Sequence, residues 1–284
     1  MRRTLFALLL LASMATQAQD IIYATEDSVF VTNILQKHKG NNKEMGQLLL
    51  AIAHEFIGHK YVAGTLEKCI DEPLTVNTKE VDCTTFVEQV LAMAVTTQQG
   101  DSNFGKFTEN LESIRYRNGK RKGYASRLHY MSMWIADNAQ KGFIDEICTA
   151  PYSQKETIAL EFMSKHPGSY KLLKDNDSLV TEIAAWEAKI NGTEVCRLPK
   201  SELWRTSDAL GIKEGDIIIL TTNVEGLDAV HVGIAFLHGN EVRLLHASSA
   251  AGKVIKEGRS LYEYQKGKKN HTGIRVIRAK PMPH

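Results

Sequence analysis

The sequence predicts an α+β fold, with helices in the first part of the chain and antiparallel strands in the last part. Two observations support this prediction. Apolar residues in the first part recur mainly at three- and four-residue spacings, which is the period of an amphipathic helix. After Gly215 the pattern changes to short β-rich runs separated by glycine-containing turns. The sequence has no internal repeat and no low-complexity linker, so residues 19–284 are expected to form one domain.

Residues 1–18 have the pattern of a secretory signal peptide. Arg2 and Arg3 precede an apolar run at residues 5–12, and Ala18 ends a segment that is suitable for cleavage. We therefore expect an exported protein that is periplasmic or secreted after cleavage. No later segment contains roughly 18 consecutive apolar residues, so no transmembrane helix is expected.

Helices are predicted for most of the chain before the strands. Residues 29–61 show helical spacing, and Asp82 precedes a second helix that is expected to stop near Gly100. Residues 103–210 are expected to form a mainly helical insertion, interrupted by turns. The apolar stripes of the first two helical stretches contain Leu35, Met45, Leu48, Leu49, Ile52, Ala53, Phe56, Phe86, Val87, Val90, Leu91 and Ala94.

Four short β-rich runs follow the helices. A hairpin connection is predicted around Gly239, between the second and third runs. On the second run, His231, Gly233 and Ala235 share one face because side chains alternate along a strand. Two small residues on the face of His231 leave space beside its imidazole. The four runs are residues 216–220, 231–237, 242–247 and 274–279.

Composition and cysteine content exclude several classes of protein. Lys and Arg number 35, Asp and Glu number 33, and the formal net charge is +2. No basic stripe with interleaved aromatic residues indicates nucleic-acid binding. The cysteines are too few for a disulfide-rich scaffold. An exported protein can retain disulfides, and Cys148 with Cys196 is the first pair to test, although sequence does not settle the pairing among Cys69, Cys83, Cys148 and Cys196.

Cys83 is a candidate nucleophile. Free cysteine often behaves as a small buried apolar residue, so an isolated cysteine is weak evidence of catalysis. The expected position of Cys83 in the first turn of a helix is more specific. Unpaired backbone N–H groups and the positive end of the helix dipole favour a thiolate there. The same N–H groups are suited to bind an oxyanion.

His231 and His246 are the candidate partners of Cys83. An isolated histidine beside apolar strand residues is usually structural. Here the two histidines lie on runs that flank the predicted hairpin. If those strands pair, His246 is placed to hydrogen-bond the far nitrogen of His231 and to fix its tautomer, as the third residue of a catalytic triad does. A thiol with such a base indicates nucleophilic catalysis.

No metal or organic cofactor is expected. His54 and His59 superficially suggest a zinc protease, but they are five residues apart, whereas the zinc motif places two histidines four apart on one helix face. A five-residue spacing rotates the two side chains away from each other at 3.6 residues per turn. No P-loop, dinucleotide-binding motif or paired Cys-x-x-Cys is present.

Five motifs resemble the NlpC-type papain-like cell-wall cysteine hydrolases. The order of tyrosine, cysteine, histidine and a third polar residue is the same as in that family. The resemblance implies a papain-like fold, with the cysteine at a helix start packed against an antiparallel sheet. The motifs are KYVAGT at 60–65, DCTTFV at 82–87, KEGDI at 213–217, HVGI at 231–234 and LHAS at 245–248.

Other segments are similar to an N-acetylmuramoyl-L-alanine amidase-like subgroup. They are AGTLE at 63–67, GYASRLHY at 123–130 and Trp134, the last two within an insertion that shorter relatives lack. Thr84 replaces the serine that usually follows the cysteine. The resemblance implies hydrolysis of the bond between the lactyl group of muramic acid and L-alanine, with peptidoglycan fragments as substrates.

The resemblance also implies roles for individual residues. Tyr61 would direct its hydroxyl toward the oxyanion or substrate, and Asp82 would hold a substrate amide or the loop of the nucleophile. Arg127 is the leading substrate anchor because a guanidinium can bind a carboxylate in two places; the ordinary alternative is a surface or ion-pair residue. The implied substrate-binding residues are Ser126, Arg127, His129, Tyr130 and Trp134.

Two other functions remain open at this stage. The same residues are compatible with an endopeptidase that cuts between γ-D-glutamate and the diamino acid. A non-catalytic wall-binding module is the alternative from a different class, although binding alone needs no nucleophile. The sequence does not indicate the oligomeric state.

Overall fold

A computed structural model of the chain describes residues 21–40, 42–67 and 71–282. The signal peptide predicted for residues 1–18 lies outside these described residues, and so does Cys69. Within the described residues, no helix combines the length and apolar character needed to cross a membrane.

The described part of the chain contains nine α-helices. The stretch predicted as helical at residues 29–61 is divided into two helices and a short strand, because Gly40 adopts a left-handed φ of +69°. The helix predicted after Asp82 is confirmed. The helices are α1 (Thr25–His38), α2 (Met45–His54), α3 (Cys83–Gln98), α4 (Phe104–Arg115), α5 (Met131–Gln140), α6 (Phe162–Lys165), α7 (Asp177–Ile190), α8 (Ser207–Leu210) and α9 (Leu261–Lys266).

The strands form a two-stranded sheet of β1 and β3 and a larger mixed sheet. The larger sheet has the order β4-β2-β11-β10-β9-β8-β12-β7-β6, with β5 also paired to β12. Only the β2–β4 pair is parallel within this described sheet. The strands are β1 (Ile21–Ile22), β2 (Lys60–Tyr61), β3 (Leu74–Thr75), β4 (Glu80–Val81), β5 (Ile144–Ile147), β6 (Gln154–Thr157), β7 (Glu194–Pro199), β8 (Ile217–Thr222), β9 (Ala229–His238), β10 (Glu241–Ser248), β11 (Lys253–Lys256) and β12 (His271–Ala279).

The four predicted strands and the hairpin are confirmed. They correspond to β8, β9, β10 and β12, and His238 pairs with Glu241 across a two-residue connection. Gly239 in that connection has a φ of +59°, a conformation that glycine adopts without steric cost. The protein is therefore α+β, as the sequence predicts.

The segment predicted as a mainly helical insertion also contributes strands. It contains α4 to α8, but β5 and β7 pair with β12 and so extend the main sheet. Sequence patterns missed β5 and β6 because their residues are largely polar and only partly buried. A disulfide joins Cys148 to Cys196, with Cα atoms 5.7 Å apart, which confirms the pair expected first.

Strand β9 is covered on both faces. Val232 and Ile234 face the core that α2 and α3 pack against, while Ala235 faces a second core that includes Leu261 of α9. This alternation directs successive side chains of β9 to opposite sides of the sheet. The start of α3 and the histidine-bearing part of β9 are thereby brought together.

A buried ion pair fixes α3 against α4. Arg115 Nε lies 2.6 Å from Glu88 Oε2, and Arg115 Nη1 donates to the carbonyl oxygen of Thr75 at 2.8 Å. The two side chains are only 1% and 3% exposed. Burial raises the pKa of Glu88, and the Arg115 guanidinium opposes that shift. The pair therefore holds the helix of the candidate nucleophile in place.

Removal of the arginine is expected to destabilise the protein. Arg115→Met should lower the free energy of unfolding by about 3–5 kcal/mol, because it leaves the Glu88 carboxylate buried and uncompensated. Urea unfolding monitored by circular dichroism measures the change. The double variant Arg115→Met/Glu88→Met should be more stable than the single variant, since it removes both charges. Equal stability of the two variants would contradict this assignment.

Candidate active site

Asp82 caps the helix that begins with Cys83. The Asp82 carboxylate accepts hydrogen bonds from Thr85 N at 2.8 Å and from Thr85 Oγ1 at 2.9 Å, and Asp82 N donates to Thr85 Oγ1 at 2.9 Å. This reciprocal arrangement resembles a capping box, and it fixes the first turn of α3. In this structure Asp82 therefore holds the segment that carries the candidate nucleophile, one of the two roles implied for it.

Cys83 lies against β9, at the residue that follows His231. Its thiol is half-buried and free of any disulfide. The backbone N–H of Val232, the residue after His231, donates a hydrogen bond to Cys83 Sγ. Thr84 Oγ1 is 4.0 Å from the same sulfur. The contact with Val232 places the thiol beside the histidine-bearing segment of the sheet.

His231 and His246 lie where two strands separate. β9 and β10 pair as far as Ile234 with Leu245; beyond this point β10 pairs only with β11, and β9 only with β8. His231 Nε2 is 2.6 Å from His246 Nδ1, and the rings are nearly perpendicular. The predicted contact between the two histidines is confirmed.

Gly233 provides the space for this contact. A Cβ atom at Gly233 would lie 3.0 Å from His246 Cβ and 3.2 Å from the Leu245 carbonyl oxygen. Both distances are shorter than ordinary van der Waals contacts between such atoms. The small residue that the sequence places on the face of His231 therefore admits the second imidazole.

Both imidazoles are held in their neutral forms. Burial lowers the pKa of His231, and repulsion from the nearby His246, Lys268 and His271 side chains in their charged forms lowers it further. Burial also lowers the pKa of His246, which is fully inaccessible to solvent, although Glu257 opposes the shift. Because the bond to His246 uses His231 Nε2, His231 Nδ1 is the nitrogen left to act on a proton.

The thiol of Cys83 is also held neutral. Burial, followed by the nearby Asp82 carboxylate, raises the pKa of Cys83 to about 11, despite hydrogen bonds from Val232 and Thr84. The position at a helix start led us to expect the opposite shift. A helix terminus stabilises a nearby thiolate by about 0.3–1 kcal/mol, which is less than about one pKa unit. Burial raises the pKa of a thiol by up to about 3–5 units, so the effect of burial is the larger one here. The raised pKa of the thiol and the lowered pKa of His231 both favour the neutral forms of these two groups.

The pH dependence of alkylation distinguishes this neutral pair from a preformed ion pair. Only the thiolate reacts, so the rate of Cys83 modification by iodoacetamide should rise about tenfold per pH unit between about pH 6 and pH 9. The rate is measured by the mass of the labelled Cys83 peptide. A rate that is constant across this range would indicate a thiolate–imidazolium pair and contradict the neutral state.

Tyr61 lies close to the thiol. β2 pairs in parallel with β4, so Tyr61 is opposite Val81, two residues before Cys83. Its backbone N–H donates to the Gly252 carbonyl oxygen at 2.9 Å. Burial raises the pKa of Tyr61, and Cys83 and Asp82 add to the shift. Its position is compatible with the implied contact with the oxyanion, which remains a prediction.

Tyr264 is a residue of the site that the sequence analysis missed. Its ring centroid is 5.4 Å from that of His246 and 6.5 Å from that of His231. Burial raises its pKa, with smaller effects from Glu257 and Cys83. It belongs to α9, a six-residue helix too short for periodicity to indicate it. The cap at Ser260 was the available sequence signal.

Three of the residues implied to bind substrate make internal contacts. Ser126 Oγ donates to the Gly123 carbonyl oxygen, and His129 Nε2 lies 2.9 Å from the Tyr124 carbonyl oxygen. Arg127 forms ion pairs of 2.5 Å with Glu67 and 2.9 Å with Glu72. The guanidinium of Arg127 is thus engaged in ion pairs within the chain, which corresponds to the ion-pair alternative given for this residue. Direct substrate contact by these residues remains a prediction.

Tyr130 and Trp134 are almost fully buried, each 2% exposed. The Tyr130 hydroxyl donates to Glu187 Oε1 at 2.5 Å and accepts from Met163 N at 2.7 Å. Trp134 lines a narrow crevice with Thr84 and Val232, beside the candidate nucleophile. Trp134 thus shares a crevice with Thr84, the residue that follows Cys83, while its implied contact with substrate remains a prediction.

His54 and His59, which the sequence spacing argues against as metal ligands, lie in ordinary structural environments. His59 Nδ1 is 2.5 Å from the Thr78 carbonyl oxygen, and burial lowers the pKa of His54. Throughout residues 21–40, 42–67 and 71–282, no group of three or more His, Cys, Asp or Glu side chains is arranged to hold a metal ion.

A free thiol at a helix start, packed against the strand residue that follows the first of two hydrogen-bonded histidines, is compatible with a thiol-dependent nucleophilic site. A family model described as AmiA-like, N-acetylmuramoyl-L-alanine amidase-like, matches residues 51–274. The match covers most of the chain, which therefore belongs to this family. No curated protein matches the chain.

Solved structures support the same family. An N-acetylmuramoyl-L-alanine amidase from Bacteroides uniformis is 40% identical, with a TM-score of 0.79, over 84% of this chain and 100% of that chain. A Bacteroides fragilis protein described as a putative xylanase is 45% identical, with a TM-score of 0.75, over 81% and 99% of the two chains. A Legionella pneumophila protein, 23% identical with a TM-score of 0.68, shares the fold over 90% of this chain and 95% of its own.

Proposed function

We propose that the protein is an exported cysteine amidase with a papain-like fold. Its substrate would be the amide bond between the lactyl group of N-acetylmuramic acid and L-alanine in muropeptides. The observation that carries the proposal is the bond between His231 and His246 at the strand position next to Cys83. Membership of the amidase-like family supports the class of substrate.

The first half of the reaction forms a thioester. Cys83 Sγ attacks the lactyl carbonyl carbon while His231 Nδ1 takes the thiol proton, so a neutral thiol reacts without a preformed ion pair. The carbonyl oxygen becomes an oxyanion, for which the Cys83 N–H and the Tyr61 hydroxyl are the candidate donors. The C–N bond then breaks, and His231 returns the proton to the leaving amine of L-alanine.

The second half of the reaction releases the acid. His231 Nδ1 takes a proton from water as the water oxygen attacks the thioester carbonyl carbon. The C–S bond breaks, the sulfur regains the proton from His231, and N-acetylmuramic acid is released. Throughout both halves His246 Nδ1 accepts from His231 Nε2–H, which keeps the lone pair of His231 on Nδ1. Water and groups of this chain are the only reactants that these steps use besides the substrate.

A digest of a defined N-acetylmuramoyl-tripeptide, read by mass spectrometry, tests the proposed bond. The expected products are N-acetylmuramic acid and a tripeptide that begins with L-alanine. Release of the free diamino acid would instead support the γ-D-glutamyl endopeptidase, and an unchanged substrate that remains bound would support a wall-binding module.

Xylan hydrolysis is a second activity to test, because the Bacteroides fragilis relative is described as a putative xylanase. A glycosidase of the usual type needs two carboxyl groups placed on either side of a glycosidic bond. Cleavage of xylan by the purified protein, with no cleavage of muropeptides, would overturn the amidase proposal.

A further inference from the structure

Lys268 lies beside the paired histidines, on the segment that follows α9. Its Nζ is 4.7 Å from the ring centroid of Tyr264, the residue that packs against His246. The positive charge of Lys268 contributes to the lowered pKa values of both His231 and His246. The side chain is therefore within electrostatic range of the proposed base.

Lys268 is an exposed residue, and its ammonium group forms no ion pair with any carboxylate of the described residues. Its neighbours differ. Arg259 also contacts the Tyr264 ring, but two of its nitrogens bind the Glu257 carboxylate at 3.0 Å. Lys266, two residues before Lys268, is paired with Glu263 and lies over Tyr262. Lys268 is thus available to an anionic ligand, whereas Arg259 and Lys266 are already paired with carboxylates of this chain.

A second contact holds the segment in place. Lys200 Nζ donates to the carbonyl oxygen of Lys268 at 2.7 Å, which ties this loop to the turn after β7. The Lys268 ammonium also lies over the Tyr264 ring, where the ring can stabilise it by a cation–π contact. The ammonium is therefore anchored at a defined place near the site, although its charged end remains accessible to a ligand.

We propose that Lys268, supported by Tyr264, binds the α-carboxylate of D-glutamate, the second residue of the peptide stem. This inference rests on the proposed function, which places the scissile amide at Cys83. Two extended residues span roughly 7 Å. The Tyr264 ring lies between Lys268 and His246, with its centroid 4.7 Å from Lys268 Nζ and 5.4 Å from the centroid of the His246 ring, so a stem of this length is of the right order to reach Lys268. A charge-assisted bond between ammonium and carboxylate supplies the recognition. The substrate anchor would then be Lys268 and not Arg127, whose guanidinium is already paired.

Equilibrium binding tests the subsite without requiring hydrolysis. Two ligands, N-acetylmuramoyl-L-alanyl-D-isoglutamic acid and N-acetylmuramoyl-L-alanyl-D-isoglutamine, differ only in that α-carboxylate and its amide. Calorimetry in a Cys83→Ala background should show that Lys268→Met weakens binding of the acid about tenfold and leaves binding of the amide nearly unchanged. Lys266→Met is the matched control and should bind both ligands like the parent protein.

Three results would overturn the subsite. The first is that the Lys268→Met variant binds the acid as tightly as the parent protein does. The second is an equal loss for the acid and the amide, and the third is an absence of binding by the parent protein. The identity of the hydrolysed bond is decided separately by the product masses, so a failed subsite is distinguishable from a failed amidase proposal.

Discussion

Replacement of Cys83 by alanine is expected to abolish hydrolysis of muropeptides. The proposed reaction has no other nucleophile, and loss of a nucleophile that acts together with its base can lower turnover by about 10⁶-fold. The substitution removes one sulfur atom from a half-buried position, and the Asp82–Thr85 cap does not depend on that atom. The fold should therefore be retained, and product release followed by chromatography measures the effect.

Two controls make the result interpretable. The urea unfolding midpoint of Cys83→Ala should remain close to that of the wild type, which excludes a loss of activity through unfolding. Cys83→Ser should also be inactive, because a hydroxyl is a much weaker nucleophile than a thiol in a site built around sulfur. Near-normal turnover by the alanine variant would contradict the assignment of Cys83 as the nucleophile.

Replacement of the two histidines should have unequal effects. His231→Ala removes the group that transfers the proton and should lower turnover by about 10⁶-fold, as in other triads. His246→Ala removes the acceptor that fixes the tautomer and should cost less, on the order of 10²–10⁴-fold. His246→Asn is the informative third variant, because its amide oxygen is able to accept from His231 Nε2 and should recover part of the activity.

The order of these effects decides the role of His246. An equal and complete loss in correctly folded His231→Ala and His246→Ala would mean that His246 acts directly on the substrate or the proton. Wild-type turnover by His246→Ala would mean that another group orients His231. Thermal unfolding of each variant is needed beside the kinetics, because His246 is fully buried and packs against Tyr264.

Those parts of the fold that depend on local patterns were predictable from the sequence. Asp82 followed by an apolar stripe indicates a capped helix, and Gly239 between two β-rich runs indicates a hairpin; both are present. The hairpin brings the strands of His231 and His246 near each other, but the contact itself lies just beyond their last pair, Ile234 with Leu245, and so was only partly predictable. The papain-like architecture itself, which depends on the arrangement of distant elements, remains a prediction.

Features that depend on burial and on distant contacts were not predictable. The strands β5 and β6 are polar segments whose pairing is set by the rest of the sheet. The helix start suggested a low pKa for Cys83, whereas burial, a tertiary property, raises it. Arg127 is paired with Glu67 and Glu72, which lie 60 and 55 positions away in the chain. Tyr264 reaches the site from a helix that is too short to be recognised by its periodicity.

The central claim is that Cys83 forms a thioester with the muramoyl group. Wild-type protein mixed with an N-acetylmuramoyl-tripeptide and quenched rapidly in acid provides the most direct test, with the mass of the Cys83 peptide as the measured quantity. The account predicts an increment equal to one N-acetylmuramoyl acyl group on Cys83. An increment equal to the N-acetylmuramoyl-L-alanyl-γ-D-glutamyl group, or an acyl group on any other residue, would contradict it.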